Sequence, residues 1–246
     1  MSSFGLRVHN PSQELCVASD SITPAYLGKA TFVSTTQPGT SLISSLSGFS
    51  TYTFTYAGSF LVPIVPLPTC AGAGVTGCSA IIASCTNVGS AWTITVHNST
   101  GSLNSVSFDV EVAPAAVYCF GQPVSSSGFG LNIYDASANL VADLRLRQIT
   151  IVKRASLAAA ATQFTMPTVT TPGVIGVPTD TSTSNVVVGP NWRNRYSHRG
   201  WRWDTTGGFL QRALYQYDLE LEGASAGTTN AINAIDALIV ELNGLP

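Results

Sequence analysis

Apolar and polar residues alternate along most of this chain with the two-residue period of β-strands. In Leu6-Arg7-Val8-His9 the apolar pair shares one face and Arg7 and His9 the other. Thr51 to Tyr56 alternates Thr with aromatics, and in Ala91 to Val96 the residues Trp92, Ile94 and Val96 share a face. Ser105 to Val112, Leu144 to Lys153 and Leu214 to Glu222 alternate in the same way. Ala115 to Phe120 reads as an apolar strand. Phe60 to Val65 reads as an edge strand, because Pro63 has no N–H to give a ladder. The Ser/Thr/Gly/Pro-rich residues 34–48 and the cysteine-bearing residues 68–79 read as loops. Short strands at close spacing, broken by Gly, Ser and Asn, predict a mainly β protein built as an antiparallel β-sandwich.

The period changes near the C-terminus. Ile232, Ile235, Leu238, Ile239 and Leu242 recur at helical spacing, with Thr229 or Asn230 as cap and Gly244 and Pro246 as stop, which predicts a short C-terminal helix. The composition also shifts after Arg154. Residues 155–190 are rich in Ala, Thr, Ser, Val and Pro and predict an extended arm that rests on its own domain or on a neighbouring subunit. The expected organisation is therefore a sandwich over 1–154, the arm over 155–190, and a Trp/Arg loop, strand and short helix over 191–246.

One stretch occurs twice. Phe4-Gly5-Leu6-Arg7-Val8-His9-Asn10-Pro11-Ser12 returns as Phe129-Gly130-Leu131-Asn132-Ile133-Tyr134-Asp135-Ala136-Ser137, an offset of 125 residues, and Leu15 returns as Leu140. Both read as hairpins whose turns use Asn, Asp, Pro and Ser. A fainter echo at Val96 to Leu103 is the resemblance expected of any two turns.

Composition sharpens this picture. Of 246 residues, 45% are hydrophobic and only 10% charged, against a usual charged share of about 25%. Between Lys29 and Asp109 there is no Asp, Glu, Lys or Arg. Such a surface suits contact with other protein, or a Ser/Thr/Gly-coated β-domain. The same run is rich in β-branched and aromatic residues, which argues against disorder. Its longest apolar stretch is short and broken by Pro63, Pro66 and Pro68, so no membrane span is expected. No leader is read at the N-terminus, and a net charge of −2 argues against bulk nucleic-acid binding.

Candidate chemistry is sparse. The five cysteines (16, 70, 78, 85 and 119) form no C-x-x-C pair and read as structural thiols, with one loop disulfide left open. No metal site and no cofactor are expected. His198 beside Asp204 is the best acid/base pair, but no nucleophile setting accompanies it, so no catalytic residue is assigned. Asp218, Glu220 and Glu222 read as the solvated face of a strand. The densest polar-aromatic stretch, 191–204, holds three of the four Trp. Trp192, Arg193, Arg195, Tyr196, Arg199, Trp201, Arg202 and Trp203 are the candidates for a protein interface, since Trp and Arg dominate interface energetics. They would also serve as a stacking platform for a glycan, with Trp192, Tyr196, Trp201 and Trp203 as its face. The bland reading is a loop whose Trp residues plug the end of a sandwich.

The opening Phe4 to Leu15 resembles the start of a group of small tail proteins of long-tailed bacteriophages. Those open with a "GLRV-N-x-x-G-E-L" hairpin, and a second "FGL-x-I-Y-D-A-S" hairpin follows in mid-chain, as Phe129 to Ser137 does here. Gln13 stands where the pattern has Gly, which leaves the turn type open. The resemblance implies a non-enzymatic virion component of the distal tail, at the tip or baseplate, with other tail proteins as partners. A homotrimer is expected, because tail ends have three-fold parts. The alternative is a carbohydrate-binding β-sandwich that attaches the virion to a host-surface glycan.

Overall fold

The computed structural model describes residues 7–9, 15–18, 22–36, 46–67, 69–70, 79–100, 116–124, 129–157, 163–175, 181–188, 191–205, 208–220, 229–231 and 235–246. They form strands and, among the described residues, no helix. In the first half the strands are β1 (Arg7–His9), β2 (Leu15–Ala18), β3 (Ala25–Lys29), β4 (Thr31–Thr36), β5 (Leu46–Thr55), β6 (Leu61–Ile64), β7 (Thr69–Cys70), β8 (Ser79–Val88), β9 (Ala91–Thr100) and β10 (Tyr118–Gly121). In the second they are β11 (Asn132–Tyr134), β12 (Leu140–Asp143), β13 (Thr150–Leu157), β14 (Gln163–Thr165), β15 (Pro172–Ile175), β16 (Thr181–Val188), β17 (Asn191–Asp204), β18 (Phe209–Glu220), β19 (Thr229–Ala231) and β20 (Ile235–Glu241).

The protein is mainly β, with several antiparallel sheets. β1-β2 and β11-β12 are two-stranded hairpins, and β3-β10-β6 and β13-β20-β15 are three-stranded sheets. A ten-stranded sheet runs β14-β18-β17-β8-β9-β5-β4, with β16, β19 and β7 attached beside that path. β7 lies parallel to β17; the other ladder partners run antiparallel. Among the described residues, no helix is long and apolar enough to cross a membrane.

The central strand of each three-stranded sheet is buried on both faces, and this explains its sequence. On one face of β10, Val117 and Cys119 pack with Tyr52 and Tyr56, with Trp92, Ile94 and Val96 of β9, and with Leu61 and Val65. The other face carries Phe120, which packs with Ile64, Val240 and Leu242. β20 behaves alike. Ala237 and Ile239 pack with Leu67, Ala155 and Trp201, while Val240 and Leu242 face the Phe120 cluster. A strand buried on both faces reads as a continuous apolar run. The expected C-terminal helix is therefore corrected: Ala237-Leu238-Ile239-Val240 is the centre of β20, flanked by β13 and β15. Its apolar spacing fits a helix only because apolar residues sit on both sides of the strand.

Other expectations meet the structure more directly. β6 is the edge of its sheet, as Pro63 requires. Trp92, Ile94 and Val96 are all buried, as their alternation predicts. Arg154, the expected sandwich boundary, falls inside β13, which continues to Leu157 and pairs with β20. The expected arm supplies the end of β13, together with β14, β15 and β16. The expected Trp/Arg loop is a strand, β17, paired along its length with β18. The strand expected over Ser105 to Val112 lies outside the described residues.

The repeated stretch is repeated in register. Arg7, Val8 and His9 partner Ala18, Val17 and Leu15; Asn132, Ile133 and Tyr134 partner Asp143, Ala142 and Leu140. The 125-residue offset holds at each partner, and the register slips at the same step, after Val8 and after Ile133. The fainter echo is no third copy, since Val96 to Thr100 continue β9.

Candidate assembly interface

The eight Trp/Arg candidates all lie on β17. The side chains of Trp192, Arg193, Arg195, Tyr196, Arg199 and Arg202 lie outside the described residues. Register sets Arg193 opposite Glu220 and Arg195 opposite Asp218. Trp201 is 2% exposed and belongs to the core with Leu67, Ala155, Ala237 and Ile239. It cannot stack on a sugar ring, so the glycan platform loses its central member. Trp203 is half-buried against the same core, and its Nε1 is buried without a hydrogen-bond partner among the described residues. These two indoles act as the plug that the bland reading expected, but from a strand rather than a loop.

The strand also separates the best acid/base pair. His198 and Asp204 are six positions apart on β17, about 20 Å along an extended strand. Burial pushes the Cys119 thiol up to about 12, with Cys85 nearby adding to the effect. The Cys85 thiol is raised by burial too. Both stay protonated near neutral pH, which makes them poor nucleophiles. Among the described residues, no three His, Cys, Asp or Glu side chains come together to hold a metal ion.

The second hairpin offers a different kind of site. Its motif residues divide by what the fold asks of them. Ile133 packs with Val141 and Ala142. The Asp135 carboxylate accepts the N–H groups of Ser137 and Asn139, each at 2.8 Å, and the Asn139 side-chain amide at 2.8 Å. Chiefly through Asn139, these bonds hold the Asp135 carboxyl below its ordinary range. Gly130 leaves the space that the Arg145 side chain fills, and a Cβ there would collide with it. Arg145 needs that place, because its Nε and Nη2 donate to the two carboxylate oxygens of Asp143 at 2.8 and 2.7 Å, and Nη2 also donates to Asn132. The Asp143 side chain is fully buried, and a carboxylate there is tolerable only when bonded in this way. Ala138 closes the turn at φ 63°, a left-handed conformation. It is the counterpart of Gln13 at the 125-residue offset, and its φ is one that Gly adopts without strain.

Other large side chains of the hairpin are exposed; among them, the Tyr134 hydroxyl accepts the Asn132 side-chain amide at 3.4 Å. Phe129 is fully exposed, and Leu131, Tyr134 and Leu144 are exposed beside it. The Leu144 N–H donates to the Leu131 carbonyl at 3.0 Å, which brings those two side chains onto neighbouring strand ends. Four large side chains are thus exposed on one small hairpin, a candidate surface for protein contact. Sequence reasoning noticed the motif but gave these residues no role. The available signal was that Phe129 repeats Phe4 as a large apolar side chain in a turn-bearing hairpin too small to bury it.

No family model, curated protein or solved structure matches the chain.

Proposed function

We propose that the chain is a non-enzymatic structural component of a bacteriophage virion, built into the distal tail at its tip or baseplate. On this reading residues 1–154 form an antiparallel β-sandwich, and the protein works by packing against copies of itself, as a homotrimer, and against other tail proteins. The observation that carries the reading is the exposed Phe129, Leu131, Tyr134 and Leu144 patch. It lies on the hairpin that resembles the tail proteins. The charge-free run from Ala30 to Phe108 adds to it, since Phe32 and Val33 on β4 are exposed within that run. An uncharged strand at a sheet border presents unpaired N–H and C=O groups on which another chain can pair. Deleting the gene product and imaging the virions by electron microscopy tests the proposal. The expected result is tails that are missing or lack their distal structure; intact, infectious tails would contradict it.

A further inference from the structure

We infer that the chain is two copies of one module joined in tandem, and that the faces on which they meet form a two-fold interface whose partner is a second copy of the same module. The inference does not rest on the tail reading. It starts from the hairpins, which share register and bulge at an offset of 125 residues, and extends to the strands that follow them. Ala25, Tyr26, Gly28 and Lys29 pair with Gly121, Phe120, Cys119 and Tyr118, while Leu27 bulges out of the ladder. Offset by 125 residues on this strand and by 120 on its partner, Thr150, Ile151, Lys153 and Arg154 pair with Glu241, Val240, Ile239 and Leu238, while Val152 bulges out. The third strand agrees as well. Leu61 to Ile64 run against Gly121 to Tyr118, and Pro172 to Ile175 run against Glu241 to Leu238, with no slip in either. Bulges are placed features of a sheet, so the same bulge in the same register twice is not a product of composition.

Equivalence extends to the cores. Val117 and Cys119 fill the first core where Ala237 and Ile239 fill the second. Ala30 packs against the first and Ala155 lies in the second, again at the common offset. The faces turned the other way meet each other. Phe120 and its counterpart Val240 sit in one cluster, as do Ile64 and its counterpart Ile175. Contact between a residue and its own counterpart is the mark of a two-fold relation. The backbone repeats it: the Ile149 N–H donates to the carbonyl of its counterpart Pro24 at 3.1 Å, beside a bridge between Ala25 and Gln148.

The two copies have diverged where they touch. Phe120 faces Val240, so a large side chain is matched by a smaller one. Val62 has Gly173 as its counterpart, and a Cβ on Gly173 would lie 2.6 Å from Ile64 Cγ2 and 2.9 Å from Leu242 Cδ1. Each module's present partner is thus its sibling in the same chain. A two-fold interface closes on itself, so contacts to further chains must use other surfaces.

The test keeps the full chain. A protease site placed within the linker Ser125-Ser126-Ser127-Gly128, between the exposed Val124 and Phe129, is cut after folding. The expected result is two fragments that co-elute at the mass of the uncut chain and melt in a single transition; fragments that separate without denaturant would overturn the inference. An experimentally determined structure gives a second measurement, independent of the inserted site. Superposing the first module on the second should need close to a half turn and should bring the Leu27 and Val152 bulges together. A rotation far from a half turn, or bulges that do not coincide, would overturn it equally.

Discussion

In the first half of the molecule Tyr52, Tyr56 and Trp92 pack over Val117 and Cys119; in the second, Trp201 packs over Ala237 and Ile239, joined by Leu67 of the first half. The residues differ at nearly every position, yet the ladders beneath them keep one register and one bulge. A slip of one residue would exchange the side chains that fill one core with those that fill the other, so the register is held by what each of the two faces must fit. Volume is free to trade between facing positions as long as the total fills the space. What distinguishes the halves is how each fills the same frame.

Breaking the second core should have the largest effect. Trp201→Ala should cost about 4 kcal/mol, the usual range for emptying a buried Trp site, read as a shift of the denaturant midpoint. A surface indole would give a change near zero. Next comes the border between the halves. Gly173→Val copies the side chain of Val62 onto its counterpart, where the space is already occupied by Ile64 and Leu242; overpacking of this kind costs about 2–3 kcal/mol. The loss should appear as a lower melting temperature.

A pH experiment separates the halves more gently. Burial raises Glu241, but the N–H groups of Thr170 at 2.7 Å, Thr171 at 2.8 Å and Asn243 at 2.9 Å outweigh it and hold the carboxyl below its ordinary 4.5. A depressed carboxyl contributes stability that is full above the unfolded value and is lost as pH falls through the folded one. The counterpart of Glu241 is Gly121, which has no carboxyl to titrate. Acid should therefore loosen the 170–171 crossing before the first half. Glu241→Gln should flatten the stability profile below pH 4.5, as seen by hydrogen exchange at Thr170 and Thr171. The smallest effect is a gain. Ala138→Gly relieves the left-handed turn residue and should stabilise by about 0.5 kcal/mol after the entropy of Gly is counted. If the hairpins are true counterparts, Gln13→Gly should do the same.

Half-buried strands were the most legible part of the sequence. Trp92, Ile94 and Val96 face one way and are buried because one side of β9 meets the core and the other does not. β20 was illegible for the opposite reason: with Ala237 and Ile239 on one side and Val240 and Leu242 on the other, period two disappears. β17 misled through its polar residues, since Asn, Arg and His in series look like a loop until the register with β18 sets Asp218 and Glu220 opposite them. The repeat was visible at the hairpins, where Gly and Asp have fixed geometric tasks, and invisible beyond them, where only volume and register are kept. The exposed hairpin patch was hidden because Leu131 and Ile133 look alike in sequence, and only the bend of the chain between strand end and strand tells the exposed one from the buried one.

Light scattering of the purified full chain, with and without Phe129→Ser, Leu131→Ser and Tyr134→Ser combined, tests the assembly role most directly. The account predicts that the unaltered chain runs as a trimer, and that the triple variant keeps its strand content but falls to a single chain. An unaltered chain that stays single at high concentration, or a triple variant that assembles unchanged, would contradict it.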